Sequence, residues 1–209
     1  MLNVNTYGSN ESTTILIQPI SKEDSSIIKI YEELKKIVNI DFQIIFIEIN
    51  DWNKDLSPWS APSVFGKEDF GSGAKDTLLE ILKLCDDSNK NYYLGGYSLA
   101  GLFSLWASFQ TNKFKGIASV SGSLWFPNFL DYINTNEILT SNIYLSLGNT
   151  ESKSKNKLMS TVDICTEKCY KSFQDRNINI IFEWNEGNHF KNPNLRLIKA
   201  YKWLLENSN

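Results

Sequence analysis

Apolar residues run through this chain in two alternating rhythms. Short, nearly continuous runs rich in β-branched and aromatic residues occupy 13–20, 42–49, 92–94, 116–121, 142–147 and 179–184, and each reads as a buried strand. Between them, apolar residues recur at three- and four-residue steps. Ile27, Ile30, Tyr31, Leu34, Ile37 and Val38 share one face, with Lys29, Glu32, Glu33, Lys35 and Lys36 opposite. The same spacing predicts helices over 74–85, 99–109, 158–173 and 193–205. Ser21 followed by Asp24 is a helix-start signal, and Asn192 before Pro193 is a candidate cap. Strands alternating with helices predict an α/β domain, a mostly parallel sheet with helices on both faces, in one unit over 1–209. Binding sites in such sheets lie at the C-terminal strand ends.

Two stretches fit neither rhythm. Residues 126–136 predict no definite element. Residues 50–73 form a long connection whose Trp52, Trp59, Phe65 and Phe70 argue for a packed loop covering part of a site.

The run Tyr92 to Phe109 joins both rhythms at a single serine. Tyr92, Tyr93 and Leu94 form the strand, and Gly95 and Gly96 break it. Leu102, Leu105, Trp106 and Phe109 form a helical face beyond Ser98. Small residues surround the turn at Gly96, Ala100 and Gly101, where strand and helix backbones nearly touch. Ser98 is thereby held at the sheet edge under the positive end of a helix. This is the Gly-x-Ser-x-Gly arrangement with Ala100 in the last place.

Composition narrows the classes. With 209 residues, 42% hydrophobic and 13% aromatic, the chain can bury a substantial core. A net charge of −3 with scattered basic residues predicts no nucleic-acid surface. The N-terminus lacks a signal-peptide pattern, and no apolar run nears the roughly 18 residues a membrane span needs, so no membrane association and a cytoplasmic location are expected. Cys85, Cys165 and Cys169 are an odd number suited to a reducing compartment, and they read as core residues with no metal site.

A serine hydroxyl needs a base within hydrogen-bond reach, and the base needs an acid to orient it. The single histidine, His189, follows the last strand between Asn188 and Phe190, so the candidate base is unambiguous. The candidate acid is Glu151, three residues past Gly148 at the end of the 142–147 strand, with Asp163 and Glu186 as rivals. An oxyanion formed at Ser98 also needs backbone donors. Leu99 N–H, opening the helix, is one candidate; the other should follow the first strand, near Ile20 or Ser21, since Pro19 has no N–H.

Gly-Gly-Tyr-Ser-Leu-Ala-Gly at 95–101, Ser-Gly-Ser-Leu-Trp at 121–125 and Gly-Asn-His-Phe at 187–190 together resemble the α/β-hydrolase superfamily, specifically the branch of esterase D-like and enterochelin-type siderophore esterases. The resemblance covers nearly the whole chain. The chain departs from that family by being short, and is expected to lack the first strands of the full fold and any sizeable cap domain. The resemblance implies Ser98 as nucleophile, His189 as base, Leu99 as oxyanion donor and Trp125 lining the acyl or alcohol pocket. The expected activity is hydrolysis of a small-molecule carboxylic ester with no cofactor. An acyltransferase on the same residues, or a non-catalytic binding protein on the same fold, are the alternatives.

Overall fold

The structure, a computed structural model, describes residues 3–22, 27–64 and 66–207. Glu23 and Asp24 of the expected helix-start signal, and Phe65 of the long connection, lie outside the described residues.

Among the described residues seven strands form one sheet: β1 (Asn3–Tyr7), β2 (Thr14–Ser21), β3 (Gln43–Ile49), β4 (Asn91–Tyr97), β5 (Phe114–Val120), β6 (Asn142–Gly148) and β7 (Asn179–Asn185). Their order is β1-β3-β2-β4-β5-β6-β7. β1 runs antiparallel to β3, and all other pairings are parallel. The chain moves outward from β2 to β3, then returns past β2 to lay down β4. The order therefore reverses between β2 and β4, and the crevice beside β4 is the favoured ligand position in such sheets.

Alternate residues of each strand feed two cores. Ile15, Ile17, Leu94, Ile117 and Leu145 pack against α3 (Ala74–Leu82), α4 (Leu99–Ala107) and α6 (Val162–Gln174). Leu16, Tyr93, Ala118 and Tyr144 face α1 (Ile27–Ile37) and α7 (Pro193–Asn207). With both faces covered, the central strands read as continuous apolar runs, which made them legible.

Several boundaries differ from expectation. β1 went unread because its sequence, Asn-Val-Asn-Thr-Tyr, is largely polar on an exposed edge. β4 runs through Gly95 and Gly96 instead of stopping there, since both glycines remain paired with β5. Ile37, assigned to the buried face of α1, is exposed where the helix ends. The helix expected from 158 begins at Val162, after a 3₁₀ turn at Met159–Thr161.

The two unassigned stretches both hold structure. The long connection contains α2 (Trp52–Asp55), capped by the Asp51 side chain, and an antiparallel bridge between Ala61 and Phe70. Residues 126–136 contain α5 (Phe129–Thr135). Trp59 donates its indole N–H to Pro127 O at 2.9 Å and packs at a tilt against Tyr132, locking the loop onto α5. Under this cover every residue of α4 is buried, so the helix is apolar all round rather than on one face. No helix among the described residues is long and apolar enough to cross a membrane. All three cysteines are free and buried in the core.

Candidate active site

Ser98 is the single residue between the end of β4 and the start of α4. Its backbone sits at φ 60°, ψ −122°, a region that costs a non-glycine residue about 1–3 kcal/mol. The surroundings enforce it. Ser98 N–H donates to Val120 O at 3.0 Å, and Ser98 O accepts from Gly101, Leu102 and Ser123 N–H at 3.0–3.1 Å. The turn also needs Gly96: a Cβ there would lie 2.5 Å from the carbonyl of Ala100. We expect Gly96→Val to drive α4 off the sheet and destabilise the protein by about 3 kcal/mol, the upper range for overpacking. Urea unfolding measures this; a midpoint unchanged from wild type contradicts the close approach.

His189, on the loop after β7, brings Nε2 to 3.1 Å from Ser98 Oγ and Nδ1 to 2.7 Å from Glu151 Oε2. A carboxylate only accepts, so Nδ1 carries the ring proton and Nε2 is free to accept from the serine hydroxyl. Glu151 opens a 3₁₀ turn, Glu151–Lys153, directly after β6. The rival acids are elsewhere. Asp163 accepts from the Ile164 N–H at the start of α6, and Glu186 is an exposed partner of Lys191 at 2.6 Å.

The Glu151 side chain is only 3% exposed, yet its carboxyl lies below the ordinary range. Burial, the largest single influence, pushes it up. Hydrogen bonding and charge from His189, with donation from Gly148 N–H and the Ser121 hydroxyl, outweigh burial. Gly148 N–H, Ser121 Oγ and Arg196 Nη1 all donate to Oε1, at 2.7, 2.8 and 2.7 Å. One carboxylate oxygen is thus saturated and the other is presented to the imidazole.

Ser121 and Arg196 were missed in the sequence. Ser121 sits at φ 46° just past β5, a position its neighbour Gly122 gave reason to suspect as a turn but not as a carboxylate donor. The signal for Arg196 was a cation in the first turn of α7, the wrong end for a helix dipole.

A cavity of about 780 Å³ opens over Ser98. Trp52, Phe70, Leu99, Trp125, Met159 and Val162 form its apolar wall. Phe190 stands at its mouth, 84% exposed. The structure thus brings Trp125 to the pocket, and also Trp52 from the long connection, whereas Trp59 supports α5 instead. Leu99 lines the same cavity, and as the first residue of α4 its N–H has no intrahelical acceptor. Ile20 is not brought there. Its side chain packs in the opposite core with Ile27 and Ile30, and Ile20 and Ser21 remain in register with Glu48 and Ile49 of β3. The strand continues one residue past its apolar run, to Ser21, and neither Ile20 nor Ser21 lines the cavity.

No family model matches the sequence, and no curated protein matches it. Solved structures do. An IroE-like serine hydrolase from Shewanella oneidensis superimposes with a TM-score of 0.76 at 14% identity, covering 99% of this chain and 80% of its own. The siderophore hydrolase EstA from Aspergillus nidulans gives 0.73 at 16% identity, covering 99% and 90%. The fold is that of the α/β hydrolases. A third structure, the enterobactin esterase FES from Shigella flexneri, gives 0.61 at 14% identity, and this chain covers 56% of it. On the α/β-hydrolase fold, Ser98, Glu151 and His189 follow β4, β6 and β7, in the chain order serine, acid, histidine.

Proposed function

We propose that the protein is a serine hydrolase that cleaves carboxylic esters through an acyl-enzyme on Ser98, His189 and Glu151. The observation that carries this reading is the continuous hydrogen-bond chain from Ser98 Oγ through both ring nitrogens of His189 to a buried, ionised carboxylate. The structural neighbours, a serine hydrolase and a siderophore hydrolase, support it.

Ester substrate enters the apolar cavity with its carbonyl carbon against Ser98 Oγ. As Oγ attacks, His189 Nε2 takes the hydroxyl proton, and the imidazolium is stabilised by Glu151 through Nδ1–H. Negative charge develops on the carbonyl oxygen, where the Leu99 N–H at the positive end of α4 donates. Collapse expels the alcohol, which takes the proton back from Nε2. Water then repeats the sequence on the acyl-serine, releasing the acid and restoring Ser98. The preferred acyl group is apolar or aromatic, matching the wall of Trp52, Phe70, Trp125 and Met159.

Hydrolysis of p-nitrophenyl esters graded in acyl size tests the reading directly. With Nε2 as the general base, kcat/KM should rise with pH as that base loses its proton. A kcat/KM independent of pH contradicts a general base at this site.

A further inference from the structure

Among the described residues Arg196 is the largest fully buried side chain, at 1% exposure. Burying a cation costs several kcal/mol unless it is well partnered. Placing it in the first turn of α7 adds repulsion from the helix dipole. Its contacts explain what offsets both. Nη1 donates to Glu151 Oε1 at 2.7 Å, Ser121 Oγ at 2.8 Å and the Tyr97 hydroxyl at 3.2 Å. Nη2 donates to the carbonyls of Asn188 at 2.8 Å and Glu186 at 3.2 Å. The Tyr97 hydroxyl passes the link on, donating to His189 O at 2.6 Å. A single planar fork therefore grips the acid on one side and the backbone of the histidine loop on the other.

We infer that Arg196 is a positioning residue of this site, setting the distance and rotation of Glu151 relative to the His189 ring and opposing, by its fixed charge, proton retention by that pair. The inference rests on the ester-hydrolase reading above. Any carboxylate–imidazole pair titrates as a unit, and an adjacent fixed cation weakens its hold on a proton. Without Arg196 the pair keeps its proton to higher pH, so less free base is available.

Few other groups reach the pair. Tyr97, at the end of β4, is pushed up by burial and stays a neutral donor. Ser121 and Gly148, past β5 and at the end of β6, supply neutral donors. Lys153 lines the cavity from the 3₁₀ turn and is exposed. Glu186 and Lys191, on the histidine loop, neutralise each other at 2.6 Å. Arg196 is thus the one fixed charge in contact with the carboxylate among the described residues.

The test is the pH dependence of kcat/KM for a p-nitrophenyl ester in wild type, Arg196→Met, Arg196→Lys and Ser98→Ala. Because His189 is the only histidine, its ring NMR signals give the same titration in the folded protein without turnover. Arg196→Met should lower kcat/KM at pH 7 at least about tenfold and move the acid limb up by about one pH unit, the scale for one nearby charge in a partly polarisable site. Arg196→Lys should restore the limb, because it restores the charge. Its kcat should stay several-fold low, because an ammonium lacks the planar fork that holds acid and loop together. An unmoved limb in Arg196→Met, even with reduced kcat or stability, overturns the proposal and leaves a purely structural arginine. If Arg196→Met does not fold, Arg196→Lys decides: a wild-type kcat overturns the fork. Failure of the hydrolase reading itself shows separately, as Ser98→Ala retaining activity.

Discussion

Ser98→Ala should reduce hydrolysis by at least about three powers of ten while the protein remains folded. The size follows from the role: without Oγ no acyl-enzyme forms, and only the oxyanion donors and the cavity still act on the substrate. Retained folding follows from the contacts. The side-chain hydrogen bond Ser98 Oγ makes is to His189, whereas the turn is held by its backbone N–H and C=O. Alanine keeps those and takes the same strained φ of 60°. Esterase assays with a thermal melt check both halves. A variant that keeps most of the wild-type rate removes Ser98 from the chemistry.

Glu151→Gln should cut kcat by about two powers of ten or more, although it is nearly isosteric. Three donors, from Gly148, Ser121 and Arg196, converge on the Oε1 position. They fix the glutamine with its carbonyl oxygen there and its NH2 towards His189 Nδ1. A donor then faces a donor, so the imidazole adopts the other tautomer and Nε2 carries the proton. That ring nitrogen can no longer accept from Ser98. The loss should be smaller than for Ser98→Ala, since nucleophile, ring and oxyanion donor remain. Asp163→Asn, at a carboxylate that accepts from the Ile164 N–H and not from the ring, should do little.

Stability gives a second readout of the same residue. The Glu151 carboxyl is depressed in the folded state, so its contribution is present above the ordinary carboxylate range and lost as pH falls through the folded value. Thermal melts of wild type should therefore fall on acidification more steeply than those of Glu151→Gln. Parallel melting curves contradict an ionised, hydrogen-bonded Glu151.

What the sequence made legible follows from the physics of each feature. The central strands and the helices around them were readable because burial imposes period on the apolar residues. The turn at Ser98 was readable because close backbone approach demands Gly96 and Ala100. His189 had no competitor, and Glu151 stood where chain order and a strand end required. β1 was hidden because an edge strand need not be apolar, and α5 because seven residues give too few turns for a period. Ile20 was expected just past the first strand, but β2 runs on through Ser21 in register with β3, and pairing of that kind is not reported by the apolar pattern. Arg196 was the deepest omission. None of the groups it holds lies on its own helix, and only the fold brings it to Glu151, Ser121 and Tyr97.

The central claim is that Ser98 is a nucleophile activated by His189, and covalent labelling tests it most directly. A fluorophosphonate should modify the wild-type protein once, at Ser98 by peptide mass, with label uptake rising with pH in parallel with kcat/KM. It should not modify Ser98→Ala, and Glu151→Gln should label far more slowly than wild type. A wild-type protein that stays unlabelled, or that carries the label on another serine while Ser98 remains free, would contradict the account.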